Sequence, residues 1–273
     1  ILAGFSLLLI SCESENTPEQ RASGEWLIPK DQVRDGGPGK DGIPSVDEPQ
    51  FMVPEQANQL EPDDLVVGIV KDDEAKAYGH PVLNHHEIVN DRIAGKPIAL
   101  TYCPLTGTGI AYSRKIDGEV TTFGVSGLLY NNNQVPYDRK TNSNWSQMLV
   151  KAVNGEIKGK TTKTYQVVET EWATWKKMFP ETQVLSRRTG FSRNYNQYPY
   201  GDFKTSSQLL FPVSNRDDRL HEKDRVHGII VDEQAYIYPM KAFGEKTKVF
   251  TDEFAGKSVV IAGNKAANFI VSF

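Results

Sequence analysis

The sequence predicts a mainly β protein, a β-rich α+β chain with few helices, built as two pseudo-equivalent β units from an internal duplication. Three observations predict it. Short runs of Val, Ile and Tyr end on Asp- and Gly-rich turns, the signature of hairpins. A single segment has helical spacing. An internal repeat lays Leu60–Val70 over Leu220–Ile230 at an offset of 160 residues. The match continues from Asp72–Ala75 to Asp232–Ala235 and from Tyr78 to Tyr238. Ala94-Gly95-Lys96 then falls on Ala255-Gly256-Lys257 at an offset of 161. Two copies are too few for a solenoid and point to a pseudo-twofold arrangement.

Along the chain, residues 13–41 are polar and end in the turn-rich stretch Arg34–Gly42, which reads as a tether and not as core. Ordered structure is expected from Ile43 and Phe51. Val66–Val70 reads as a strand, Lys71–Glu74 as a hairpin turn and Ala75–Tyr78 as the return strand. Gly95-Lys96-Pro97 is a turn before a strand at Ile98–Tyr102, and Pro97 is confined to a strand start or edge. Gly109–Ser113 and Val120–Val125 add two strands joined across Asp117-Gly118. The one clear helix lies between the copies. Thr170 is its expected N-cap, and Glu171 lies near the positive end of its dipole. Trp172, Trp175 and Phe179 share one face, and Pro180 stops it. The tryptophans read as core. These elements place one compact domain over 42–273, with repeat units at about 60–115 and 220–273.

The chain has 273 residues, 31 basic and 35 acidic, for a net charge of −4. That balance leaves no cationic excess for phosphates and argues against a nucleic-acid partner. Two cysteines exclude a disulfide-dense scaffold or a zinc site of four cysteines. Residues 1–12 have the length of a signal-peptide apolar region and are too short to span a bilayer. Leu9-Ile10-Ser11-Cys12 resembles a bacterial lipobox, which implies lipidation of Cys12 and an extracytoplasmic protein held to a membrane by that lipid. An ordinary secretory signal is the alternative. Glu13 resembles an outer-membrane sorting residue, with the domain facing the periplasm or the surface.

Lipidation would leave Cys103 as the lone thiol in an oxidising compartment, a position that suits a metal ligand or a reactive group. Asn84–Asp91 precedes a strand and Thr101–Gly109 follows it, so His86 and Cys103 can meet across a hairpin. The second repeat has Asn264-Lys265 at the cysteine position and no such pair. Thiolate and imidazole suit copper or zinc, with Glu87 or His85 as a further ligand. They equally suit a cysteine enzyme with Cys103 as nucleophile and His86 as its base. A non-catalytic binding or assembly protein, with both residues structural, is the third reading. His85 and His86 point to opposite faces if the segment is extended.

The run Asn84–Asp91, the Thr101–Thr108 segment, Phe123–Asn131, Tyr137–Gln147 and Val184-Leu185-Ser186 together resemble one prokaryotic family, the domain-of-unknown-function family numbered 3179. The resemblance implies kinship and no activity. Family members usually read Cys-Pro-Leu-Cys-Gly-Thr, whereas here Thr106 replaces the second cysteine. Dithiol chemistry is therefore in doubt, while a site using Cys103 and His86 survives. The family's middle motifs supply ligand-binding candidates: Ser126, Tyr130, Asp138, Arg139 and Trp145. Ser126 lies between glycines that allow close backbone approach, but Gly-x-Ser-Gly is not a hydrolase elbow. Asp138-Arg139 reads as an ion pair or a ligand arginine, and Trp145 as core or pocket wall. Tyr195–Tyr200 is an aromatic and amide cluster that could bind sugars or build a lid.

Overall fold

A computed structural model describes residues 25–231 and 234–273. The chain begins with an arm that carries strand β1 (Val33–Asp35), and β2 (Phe51–Met52) follows. The first unit opens with the hairpin β3 (Leu65–Lys71) and β4 (Glu74–Gly79). β3 is covered on both faces, which is why its sequence is a continuous apolar run and not an alternation. One face packs Val67 and Ile69 against Tyr78, Ile98 and Leu100. The other packs Val66 against Ala77, Trp172 and Trp175. The indole of Trp175 lies on Gly68 so closely that a Cβ there would fall 2.2 Å from the ring.

Beyond β4 the chain enters helix α1 (His80–His86), with Pro81 in its first turn. Proline is preorganised there and lacks an N–H that a helix start leaves unpaired. A meander follows: β5 (Ile88–Ile93), β6 (Lys96–Cys103) and β7 (Thr108–Ser113). The small hairpin of β8 (Lys115–Ile116) and β9 (Glu119–Val120) turns at Asp117-Gly118. Next come β10 (Phe123–Tyr130), β11 (Asn133–Asp138), β12 (Asn144–Ser146) and β13 (Lys151–Asn154), which with β1 form a five-stranded sheet in the order β1-β10-β11-β12-β13. Strand β14 (Thr164–Tyr165) pairs with the edge of β7. Strands β15 (Val167–Glu171) and β16 (Gln183–Leu185), on either side of helix α2 (Trp172–Met178), complete a second sheet in the order β15-β3-β4-β16-β2.

Residues 186–225 contain no strand. The second unit then comprises β17 (Val226–Val231), β18 (Gln234–Pro239), β19 (Lys248–Phe254), β20 (Lys257–Asn264) and β21 (Phe269–Ser272). Its ladders repeat the register of the first. Val67 faces Tyr78 as His227 faces Tyr238. Val89 faces Leu100 as Phe250 faces Ile261, and Leu100 faces Ala111 as Ile261 faces Ser272. The Tyr78 hydroxyl donates to Asp91 at 2.7 Å, and that of Tyr238 to Asp252 at 3.1 Å. The unit rests against β15 and the residue before it: Gln166 Nε2 donates to the Ser272 carbonyl at 2.8 Å, and Thr170 Oγ1 to that of Ala267 at 2.6 Å.

The β-rich class expected from the sequence is the class observed, and four local expectations are corrected. The segment holding His85 and His86 is helical, not extended. Glu171, not Thr170, stands at the N-cap position of α2, without a side-chain cap; Thr170 ends β15 and spends its hydroxyl on the second unit. Strand β10 pairs with β1 and β11, while only β8 and β9 join across Asp117-Gly118. Residues 25–41 are not tether: Ile28 is buried with Val135 and Val153, and β1 extends the sheet. Residues 1–24, including Cys12, lie outside the described residues. Among the described residues no helix is long and apolar enough to cross a membrane.

Candidate functional site

The meander of the first unit, the arm and the strand-free segment enclose a cavity of about 330 Å³. Pro38 and Ile43 from the arm, Leu105 from the β6–β7 turn, Val125, Leu128 and Leu129 from β10, and Pro199 and Phe211 give it apolar walls. Its polar lining is Asn84, His85, Glu87, Cys103, Arg193 and Tyr200. A mostly apolar cleft with a few convergent polar groups has the character of a small-molecule site.

Glu87 reaches the cavity from an unusual backbone. It caps α1 with φ +59° and ψ −31°, its N–H still bonded to the Leu83 carbonyl at 2.8 Å. A non-glycine residue held there costs on the order of 1–3 kcal/mol. Burial raises its carboxyl from 4.5 to about 7, against the opposing pull of the Tyr200 hydroxyl, which donates to Oε1 at 2.6 Å. Cys103 ends β6 and is 1% exposed. Its thiol donates to the Asn132 carbonyl at 3.4 Å. Burial pushes the thiol up and Glu87 pushes it further; the Thr106 hydroxyl and the N–H groups of Thr106 and Gln134 point at the sulfur and oppose this. A buried amide network fixes these donors. Asn133 Nδ2 donates to Thr106 Oγ1 at 3.1 Å and to Gln147 Oε1 at 2.6 Å, and Gln147 Nε2 donates to Thr101 Oγ1 at 2.9 Å. Thr106, at the position of the expected second cysteine, thus serves as a donor to the first.

The Tyr195–Tyr200 cluster covers this floor, as a lid would. The Gln197 carbonyl is 2.9 Å from His85 Nε2, and Tyr198 donates to the Pro104 carbonyl at 3.5 Å. Asn132 clamps Phe211 through a bond to its carbonyl at 2.6 Å and one from its N–H at 3.1 Å.

The predicted pair does not form. His86 is fully buried and spends both ring nitrogens, Nδ1 on the Pro44 carbonyl and Nε2 on the Tyr195 hydroxyl, each at 2.7 Å. Burial lowers its pKa, so the neutral ring is favoured. On a helix His85 and His86 are about 100° apart, and it is His85 that lines the cavity. Among the described residues no group of three His, Cys, Asp or Glu side chains is placed to hold a metal ion. The donor set therefore does not fit copper or zinc through His86 and Cys103.

The other predicted ligand residues lie elsewhere. Ser126 occupies a β-bulge, where its hydroxyl donates to the Val135 carbonyl and accepts from the Leu128 N–H. The neighbouring Gly127, at φ +80°, lets the arm pass so near that a Cβ would fall 2.7 Å from Gly39. Tyr130 packs with Ile28 and Val153. Asp138 accepts from Thr141 and, at 3.1 Å, from Trp145 Nε1, which leaves Trp145 buried against Phe123. Arg139 pairs with Asp41 and Asp47, not with Asp138. None of the five lines the cavity.

Of Asn84, Gln134, Arg193 and Tyr200, neither Gln134 nor Arg193 carries a signal for a site in the sequence, while Asn84 and Tyr200 lie in runs that the sequence marks without giving either a role of its own. The structure singles out two of them. Asn84 Oδ1 and both side-chain polar atoms of Gln134 are buried without a hydrogen-bond partner.

A family model described as a protein of unknown function, DUF3179, matches residues 40–273. No curated protein and no solved structure matches the chain.

Proposed function

We propose that this chain, which belongs to the DUF3179 family, is a cysteine-dependent enzyme for a small, largely apolar substrate. We place it outside the cytoplasm on a lipid anchor at Cys12, a reading supported by the Leu9–Cys12 pattern alone. One observation carries the catalytic reading: a single cavity holds a buried thiol and a buried carboxyl that titrates at about 7. A general base is most effective when its pKa lies near the working pH. The Cys103 sulfur attacks an electrophilic carbon of the substrate, and its proton passes to Glu87. Tyr200 holds the carboxylate, and the lid keeps water from it. Glu87 thus takes the part expected of His86. The strained backbone at Glu87 supports the same reading, since strain of this kind is retained where the surroundings over-determine it, often at working sites. The commitment of His86 to Pro44 and Tyr195 favours this reading over copper or zinc handling.

The test is the pH dependence of Cys103 alkylation by a small haloacetamide, with Cys12 replaced by serine. The rate of the otherwise unchanged chain is expected to step up by roughly tenfold or more through about pH 7. Glu87→Gln should lose that step. A plain thiol titration in both proteins overturns the reading.

A further inference from the structure

Among the described residues that line the cavity, Arg193 is the one with a permanent charge. Glu87 is the one acid there, and burial keeps its proton on up to about pH 7. At and below neutrality the cavity therefore sets a cation against apolar walls. The loop that carries this cation is pinned on both sides of it. The Phe191 ring lies 5.5 Å from that of His86, and the Tyr195 hydroxyl is bonded to His86 Nε2 at 2.7 Å and to Thr189 Oγ1 at 2.6 Å. Burial lowers the His86 pKa and the Arg193 charge adds to this, so the guanidinium stands within electrostatic reach of that buried ring. Arginines elsewhere spend their donors on the protein. Arg139 is held by Asp41 and Asp47, Arg225 by Glu169, and Arg114 by three carbonyls. Arg187, in the same strand-free segment, bonds to Asn196 and to the Gln59 carbonyl. The Arg193 side chain has no hydrogen bond or ion pair among the described residues. It is exposed, so a ligand can reach it.

From this arrangement we infer that the substrate carries a carboxylate, anchored by Arg193, with its apolar body reaching into the cavity toward Cys103. The inference rests on the reading of this cavity as the substrate site. A guanidinium presents a planar fork of donors that matches the two oxygens of a carboxylate. One arginine suits a single negative charge, and the lining offers no second Arg or Lys among the described residues for a phosphate dianion. The walls given by Leu105, Val125, Leu129 and Phe211 suit a short hydrocarbon chain, and about 330 Å³ is at the small end of small-molecule pockets. Cys103 is buried and Arg193 exposed, so the anchor sits at the mouth and the sulfur at the floor. Arg193 is thus a binding residue and not a catalytic one. It fixes which end of the substrate faces the sulfur, and orientation of that kind is itself a source of rate. A neutral analogue of the same shape gives the fork no charge to hold.

The probes are hexanoate and hexanamide, which share one hydrocarbon chain and differ in charge. Their binding to the full chain, with Cys12 replaced by serine, is read by saturation-transfer NMR at about pH 6.5, where Glu87 keeps most of its proton. Both are then tested for protection of Cys103 against iodoacetamide. Hexanoate should bind roughly tenfold or more tightly than hexanamide, and Arg193→Gln should abolish that preference. Arg193→Lys should restore part of it, since an ammonium keeps the charge and loses the fork. Thermal melts check that both variants fold. Hexanoate should slow Cys103 alkylation in the parent and not in Arg193→Gln. Equal binding of the two probes, parent-like hexanoate binding by Arg193→Gln, or bound hexanoate that leaves Cys103 unprotected overturns the inference. If the Glu87-dependent alkylation step persists in that case, the cysteine-enzyme reading stands and only the carboxylate falls. If Cys103 resists alkylation altogether, the cysteine-enzyme reading falls, and the Arg193 dependence of hexanoate binding alone decides whether the cavity is a carboxylate site.

Discussion

The two β units share the register of their ladders and differ in everything around them. In the first, β15 and β16 close both edges of the β3–β4 hairpin. In the second, β17 and β18 form a two-stranded sheet by themselves, with Val226, Ile230, Tyr236 and Ile237 exposed. The first carries a helix of seven residues between hairpin and meander; the second has a 3-10 turn of three, Met240–Ala242. Glu87 corresponds in register to Lys248 and Cys103 to Asn264, which is bonded to Thr247 Oγ1 at 3.2 Å and to the Ala267 N–H at 2.9 Å. The ladders therefore do not make the site. It comes from the longer helix, which turns an acid inward, and from the arm and lid that bury it.

The largest expected difference lies at corresponding glycines. Gly68→Ala should cost about 3 kcal/mol, because the new Cβ meets the Trp175 ring in a packed core. Gly228 has nothing within 4 Å of a built Cβ, so Gly228→Ala should stay within about 0.5 kcal/mol of the parent or stabilise it. Urea melts of the two variants make the comparison, and equal losses would mean that the second hairpin is as enclosed as the first.

Next is Glu87, which has no acidic counterpart. Its folded-state pKa is raised from 4.5 to about 7, so the folded chain holds this proton over a range in which the unfolded chain has lost it. Its contribution is fully present below pH 4.5 and is lost as pH rises to about 7, a decline on the order of 3 kcal/mol. Glu87→Gln should remove that decline and leave the variant more stable than the parent above neutrality. Melts between about pH 4 and pH 8 decide it; parallel stability curves for the two proteins would show that the carboxyl titrates like a surface one.

The smallest difference is expected at the paired tyrosines. Tyr78→Phe leaves the buried Asp91 with Lys76, at 3.0 Å, as its remaining side-chain partner and should cost about 1.5–3 kcal/mol. Tyr238→Phe removes a bond to the half-exposed Asp252 and should cost less than about 1 kcal/mol. The reverse order would show that the second unit is the tighter of the two.

The ladders were legible because short runs of Val, Ile and Tyr that end on Asp- and Gly-rich turns encode hairpins locally. Helix α1 was not. It is one of the short helices that tertiary packing imposes, and Pro81 was its only strong start signal. Misreading it exchanged His85 for His86 at the cavity. The arm was missed because β1 is a three-residue edge strand, polar on two of its positions. Cys103 and Glu87 stood out as chemistry in a short stretch. Gln134 and Tyr200 lie in other elements, and only the fold brings them to the sulfur.

The arm also separates kinship from foldability. The match to the family begins at residue 40, yet Gly36 and Pro38 line the cavity and Ile28 is buried with Val135 and Val153. The stretch that marks ancestry is thus shorter than the stretch that walls the cavity. A protein trimmed to its pedigree would keep Cys103 and Glu87 but open one side of their chamber to water.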